Sequence, residues 1–193
     1  MTTVTRQVHY GVAASLDGYI AGPNGEADWI TSDPDIDFGA MWARFDTLLI
    51  GRKTFTTMVK PGKPAKSPWE MKTLVFSRTL RPEAYPGVTI VSDGAAEAIA
   101  ALKAEPGKDI WLFGGGELFR NLASLGLVDS VAVAIIPIML GGGLPLFPPP
   151  SPRLPLRLVK QRTYDKSGIV SLEYEVVRAA RKAVKRLSRA RAS

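Results

Sequence analysis

The chain has 193 residues, 46% hydrophobic and 22% charged, the size and balance of one globular domain with a sizeable core. It holds no Cys and one His, which excludes disulfides, thiolate metal sites, Cys nucleophiles and His-built zinc centres. The net charge of +7 is local: residues 178–193 carry seven basic side chains and no acid, so residues 1–177 are neutral and their charge does not mark a nucleic-acid binder.

The basic tail reads as a solvated appendage, with contact to nucleic acid as the alternative. No apolar run reaches membrane-spanning length, and the first six residues lack a signal-peptide core, so a cytoplasmic location is expected. The first strand is predicted over Gln7–Ala14. His9 lies early in it and reads as structural; a Ser–His–Asp triad would have to pass through this residue. Ser15–Gly25 follows as a Gly-rich loop with an apolar pair, Tyr19 and Ile20. Acidic residues gather next, at Glu26, Asp28, Asp33, Asp35 and Asp37, before a short helix predicted over Phe38–Phe45.

Strands are then predicted at Thr47–Ile50, Thr73–Phe76, Val88–Val91 and Ile110–Phe113. Helices over Lys53–Val59, Ala95–Ala104 and Glu117–Ser124 lie between or after them, the second with Asp93 as its cap. Alternation of strand and helix implies a largely parallel sheet. After Val128 the pattern changes. Val128–Ile136 is β-rich, and 137–155 is a Pro/Gly-rich loop expected to lack regular structure. Leu156–Tyr164 and Ile169–Val177 flank the turn sequence Asp165-Lys166-Ser167-Gly168 and read as an antiparallel hairpin.

Three strand–helix junctions carry the chemistry. Ile50 runs into Gly51-Arg52-Lys53-Thr54, Phe113 into Gly114-Gly115-Gly116-Glu117, and Phe76 into Ser77-Arg78-Thr79. Glycines at a strand end expose backbone N–H groups, and a helix N-terminus there attracts anions. Cations in a helix's first turn oppose the macrodipole, so Arg52 and Lys53 make sense beside a bound anion. An Arg fork with neighbouring hydroxyls suits a phosphate monoester. The dinucleotide fingerprint G-x-G-x-x-G fails, because Phe119 stands at the third glycine, and no Walker loop is present.

Together these pieces resemble the dihydrofolate reductase superfamily, and most closely the bacterial reductase domain of riboflavin biosynthesis. The carriers, in order, are ASLDGYIAG, IGRKTF, LVFSRTL, FGGGELF, PIMLGGGLPLF and GIVSLEYEV. The resemblance covers residues 7–177, so the domain is drawn as 1–177 and the tail as 178–193. It implies an α/β, three-layer, dihydrofolate-reductase-like sandwich with a mixed, mainly parallel eight-stranded sheet and a C-terminal antiparallel hairpin. It further implies NADPH as reductant and a homodimeric assembly.

The resemblance places Ala14, Ser15, Ile20 and Gly22 beside the nicotinamide, with 15–25 as a lid. It places Gly51, Arg52, Lys53 and Thr54 on the pyrophosphate or adenosine phosphate, and Ser77 and Arg78 on the 2′-phosphate. Phe113, Gly114, Gly115, Gly116 and Glu117 line the pyrophosphate and nicotinamide side, with a cis bond expected at Gly114–Gly115. For the substrate, Asp33, Asp35 and Asp37 are the candidate acids, without a register match to the folate-gripping carboxylate. Trp29, Trp42 and Phe38 could form an aromatic wall, and Lys60, Lys63 and Lys66 lack the Arg fork that folate's tail requires. The expected activity is hydride transfer to a small heterocycle, a ribosylaminopyrimidine first. The alternatives are a non-catalytic NADP(H)-binding module and a genuine dihydrofolate reductase.

Overall fold

A computed structural model describes residues 5–59 and 70–178. The lysines at 60, 63 and 66, and the tail beyond Arg178, lie outside them. Among the described residues no helix is long and apolar enough to cross a membrane.

The strands are β1 (Val8–Ser15), β2 (Tyr19–Ala21), β3 (Phe45–Gly51), β4 (Lys72–Phe76), β5 (Thr89–Val91), β6 (Asp109–Gly114), β7 (Ser130–Ile136), β8 (Leu144–Pro145), β9 (Leu156–Thr163) and β10 (Val170–Val176). The helices are α1 (Phe38–Trp42), α2 (Arg52–Met58), α3 (Ala95–Ala104) and α4 (Gly116–Ser124). Eight strands form one sheet in the order β5-β4-β3-β6-β1-β7-β10-β9. The first six are mutually parallel, β10 runs antiparallel to β7, and β9 runs antiparallel to β10. This is the mixed sheet with a terminal hairpin that the family resemblance implied.

The parallel order has a plain cause. β1 starts at the centre, β3 to β5 build outward on one side, and β6 returns to fill the gap between β3 and β1. Helical crossovers force parallel pairing, and every parallel strand therefore ends on the same edge. That edge carries all the glycine junctions.

The main core lies on one face, where α3 and α4 pack Ile99, Leu102, Leu118, Phe119 and Leu122 onto Val8, Tyr10, Ile110, Leu112 and Val131. Tyr10 stacks on Phe119 with ring centroids 3.9 Å apart. On the opposite face α2 seats Phe55 against Ile50, Val75 and Tyr85. Beside it Trp42 packs against a smaller cluster of Phe45, Leu48, Met71 and Trp111.

Several boundaries differ from the sequence expectation. α1 stops at Trp42 because Phe45 is drawn into β3, where it meets Trp111. Asp93 does not cap α3: Gly94, in the left-handed region at φ 67°, takes the N-cap position. The Pro/Gly-rich loop does hold a short strand. Leu144–Pro145 pairs with Tyr19–Ala21, since a two-residue edge strand tolerates Pro. Gly143 makes this possible, because a Cβ there would stand 2.2 Å from the Ala21 carbonyl oxygen.

His9 is structural in its contacts. Its Nε2 lies 3.0 Å from Asp109 Oδ2 and its Nδ1 bonds Ser130 Oγ, so it ties β6, β1 and β7 at the edge opposite the glycine junctions. Arg6, also buried, bonds Asp46, Thr47 Oγ1 and the Lys108 and Leu102 carbonyls.

Candidate cofactor and substrate site

The C-terminal tips of β3, β4 and β6 converge. Gly51 pairs with Phe76, and Ile50 with Gly114, so the three junctions stand side by side. The closest packing is at Gly116, where a Cβ would lie only 2.6 Å from the Pro145 carbonyl oxygen, whereas one on Gly51 would make ordinary contact, 3.5 Å from the Gly114 carbonyl oxygen. The Gly114–Gly115 peptide is cis, as the family resemblance implied.

These tips open into a cavity of about 1650 Å³. Gly51, Arg52, Lys53, Thr54, Ser77, Arg78, Phe113, Gly115, Gly116, Glu117 and Ile20 all line it. Three helices begin there: α2 after Gly51, α3 after Gly94 and α4 after Gly115, and none has a side-chain cap. The first N–H groups of a helix have no partner within it. Three such ends aimed at one cavity make a strong site for anionic oxygen.

The charges fit this arrangement. Arg52 and Arg78 make no ion pair with any described residue, and both line the cavity. Lys53 lies 3.7 Å from Glu117, an exposed pair that links the first turns of α2 and α4. Ser77 is different. Its hydroxyl accepts the N–H groups of Thr79 and Leu80, so it shapes the turn that presents Arg78.

Four expected cofactor residues do not line the cavity. Ala14 and Ser15 are fully buried. Ser15 Oγ donates to Asp17 and accepts the N–H of Tyr19. Gly114 is buried at the strand end, and Gly22 turns the backbone toward Glu26. Ala13 and Ala21, their neighbours, line the cavity in their place.

The expected lid is stitched to the Pro/Gly loop. Asp17 accepts the N–H groups of Leu140 and Gly141, while Leu16 N–H bonds the Ile138 carbonyl and Leu146 N–H that of Gly18. The Ser15 hydroxyl, with those two amides, lowers the Asp17 pKa against the opposing effect of burial.

The acids at 26, 28, 33, 35 and 37 supply no cavity wall. Asp33 is buried, with Oδ1 accepting the N–H of Asp35 and Oδ2 that of Ser167. Burial pushes its pKa up, but those amides, the Ser167 hydroxyl and nearby Lys166 outweigh it and the net shift is downward. Asp35 pairs with Lys166 at 2.9 Å, and Asp37 caps α1 through the N–H of Ala40. None of the three lines the cavity, so the candidate acids hold the hairpin turn and the helix instead.

Part of the cavity wall is apolar. Ile30, Ile36, Phe38, Met41 and Trp42 line it, whereas Trp29 bonds the Glu26 carbonyl and stays outside. The sequence reading missed the fourth junction, Ser92-Asp93-Gly94-Ala95, which also lines the cavity. The signal was present, since a strand there runs into Ser-Asp-Gly and a helix, as at the other tips.

Residues 6–170 match the family described as the RibD C-terminal domain. YyaP of Bacillus subtilis (strain 168), itself uncharacterized, is 39% identical over 179 residues, covering 88% of this chain and 94% of YyaP. The crystal structure of a candidate riboflavin biosynthesis protein from Shewanella sp. PV-4 superposes with a TM-score of 0.75 at 28% identity, over 89% of this chain and 99% of that one. A dihydrofolate reductase from Enterococcus faecalis, complexed with NADP(H), superposes with a TM-score of 0.61 at 22% identity, over 88% of this chain and 94% of that one. This last likeness is one of fold.

Proposed function

The chain belongs to the RibD C-terminal domain family, and from that premise we propose that it is an NADPH-dependent reductase of a small heterocyclic compound, with a ribosylaminopyrimidine of the riboflavin-synthesis kind as first candidate. One observation carries the reading: three helix N-termini without side-chain caps, with Arg52 and Arg78 beside them, face one cavity that continues into an apolar chamber.

Each group then has a role. Backbone N–H groups after Gly51 and Gly115 hold the two bridging phosphates, and the absence of side chains lets the oxygens approach. Arg78, presented by the Ser77 turn, takes the 2′-phosphate with a bidentate fork. Ile20 and Phe113 exclude water beside the reacting ring. When bound, the dinucleotide supplies the hydride. Phe38 and Trp42 hold a flat heterocycle by stacking. Asp33, Asp35 and Asp37 are committed elsewhere and are not the proton donors in this reading.

A dihydrofolate reductase needs a carboxylate facing the pterin, and Asp33 faces Ser167 instead. The ribosylaminopyrimidine reading therefore ranks first. Mixing protein, NADPH and a panel of heterocycles, with nicotinamide absorbance as readout, tests it. Oxidation with the ribosylaminopyrimidine and none with dihydrofolate is expected. Binding of NADPH with no oxidation across the panel would make this a nucleotide-binding module, and turnover of dihydrofolate would overturn the ranking.

A further inference from the structure

The cavity extends sideways across the sheet, beyond the glycine junctions. Tyr10 stands opposite Leu112, so Gly11 lies level with Phe113. Gly11 pairs in turn with Ala132, and Ala132 with Glu173. Phe113, Gly11, Ala132 and Glu173 therefore form one row on a single face, across β6, β1, β7 and β10. All four line the cavity. Neighbouring strands lie about 4.8 Å apart, so the three steps of the row span about 14 Å from Phe113 to Glu173. Glycine and alanine keep the floor between these ends low. That length suits a flat ring with a pentose attached.

The Glu173 end is polar. Arg44 is anchored at the start of β6, where its carbonyl accepts the N–H of Asp109, and its side chain borders the row on the side away from the glycine junctions. Its Nη1 lies 3.8 Å from Glu173 Oε2, and Lys160 Nζ lies 3.9 Å from Oε1. Both separations exceed a hydrogen bond, so the carboxylate keeps its capacity to accept one. Glu175, on the same face of β10, also lines the cavity and pairs with Arg157. Lys160 and Arg157 reach these acids from the exposed strand β9. Among the described residues, the cavity wall here presents Glu173, Glu175 and Arg44. Such a set both accepts and donates hydrogen bonds, as a sugar hydroxyl does. A phosphate ester carries about −1.5 to −2 charges at neutral pH and would meet two carboxylates. Helix N-termini, Arg52 and Arg78 gather at the junctions; β10 offers acids instead.

We propose that Arg44 and Glu173 are the specificity pair of this site, and that they select a heterocycle bearing an uncharged sugar over its phosphate ester. The inference rests on the reductase reading of the cavity and narrows its substrate class. The ring lies toward Phe113 and the sugar toward β10. Glu173 accepts from the sugar hydroxyls, and Arg44 donates to their oxygens. The same carboxylate that attracts the hydroxyls repels the phosphate, so one residue supplies both halves of the discrimination.

Calorimetric titration of the full chain at neutral pH, with NADP+ present, tests this with two ligands: a ribosylaminopyrimidine with a free 5′-hydroxyl and its 5′-phosphate. The free compound is expected to bind at least about tenfold more tightly. Glu173→Gln should remove most of that preference, and Glu173→Lys should reverse it. Arg44→Gln keeps the carboxylate and should weaken the free compound about tenfold while the preference remains. Both side chains are partly exposed, and circular dichroism checks each variant's fold. If the Glu173 variants fail to fold, the wild-type preference and Arg44→Gln decide. A merely structural pair would weaken both ligands alike and leave their ratio unchanged. Equal or tighter binding of the phosphate by the wild type, a preference that Glu173→Gln leaves intact, or no binding of either ligand would overturn the proposal. NADPH oxidation is read separately. Tight binding of the free compound without oxidation would count against the reductase reading and leave the specificity pair standing.

Discussion

Gly116 shows how tightly single residues define the site. Its missing side chain leaves room for the Pro145 carbonyl oxygen at 2.6 Å and that of Leu146 at 3.1 Å from where a Cβ would sit. Gly116→Ala must push the 145–148 loop away from α4. Overpacking of this kind costs about 1–3 kcal/mol, so thermal unfolding should shift downward and NADPH affinity should fall with it. Asp33 makes a different demand. Its folded-state pKa lies below the ordinary carboxylate value, so the stability it contributes is full above that value and is lost as pH falls toward the folded one. Asp33→Asn should therefore lower stability at neutral pH and flatten its decline below about pH 4. A variant whose acid unfolding curve overlays that of the wild type would count against this role. The sequence could not disclose it, because Ser167, the partner that fixes Asp33, is 134 residues away. A cluster of carboxylates with unknown partners looks the same whether it serves chemistry or a turn.

At the scale of elements, the glycine junctions were legible because their chemistry is local: a strand, a glycine and a helix read directly from adjacent residues. The junction after β5 was overlooked because Asp93 resembled a helix cap, whereas Gly94 takes that position and leaves the first turn of α3 uncapped toward the cavity. The hairpin was legible from alternation and a Gly-bearing turn. The pairing of β2 with β8 was not, since it joins two short segments far apart in the chain, one of them rich in Pro and Gly. Asp17 is the clasp of that pairing. Asp17→Ala should speed hydrogen exchange at the Leu140 and Gly141 amides while leaving the central strands protected. Unchanged exchange at those two amides would mean that the backbone pairing alone holds the loop.

For the whole molecule, strand–helix alternation indicated a parallel sheet, and the family resemblance supplied its mixed ending. What neither could supply is the uneven cover of the two faces, with α3 and α4 burying Val8, Tyr10, Val131 and Val133 on one while Gly11, Ala13, Ala132 and Ala134 on the other are half-buried. The central claim is simpler: the tips of β3, β4 and β6 hold one reduced, 2′-phosphorylated dinucleotide. Calorimetric titration of the wild type and Arg78→Ala with NADPH and NADH tests it most directly. A charge-assisted contact of about 1.5–3 kcal/mol predicts that the variant loses roughly 10- to 150-fold in NADPH affinity and little in NADH affinity. Absence of heat with NADPH, or equal losses for both coenzymes, would contradict it.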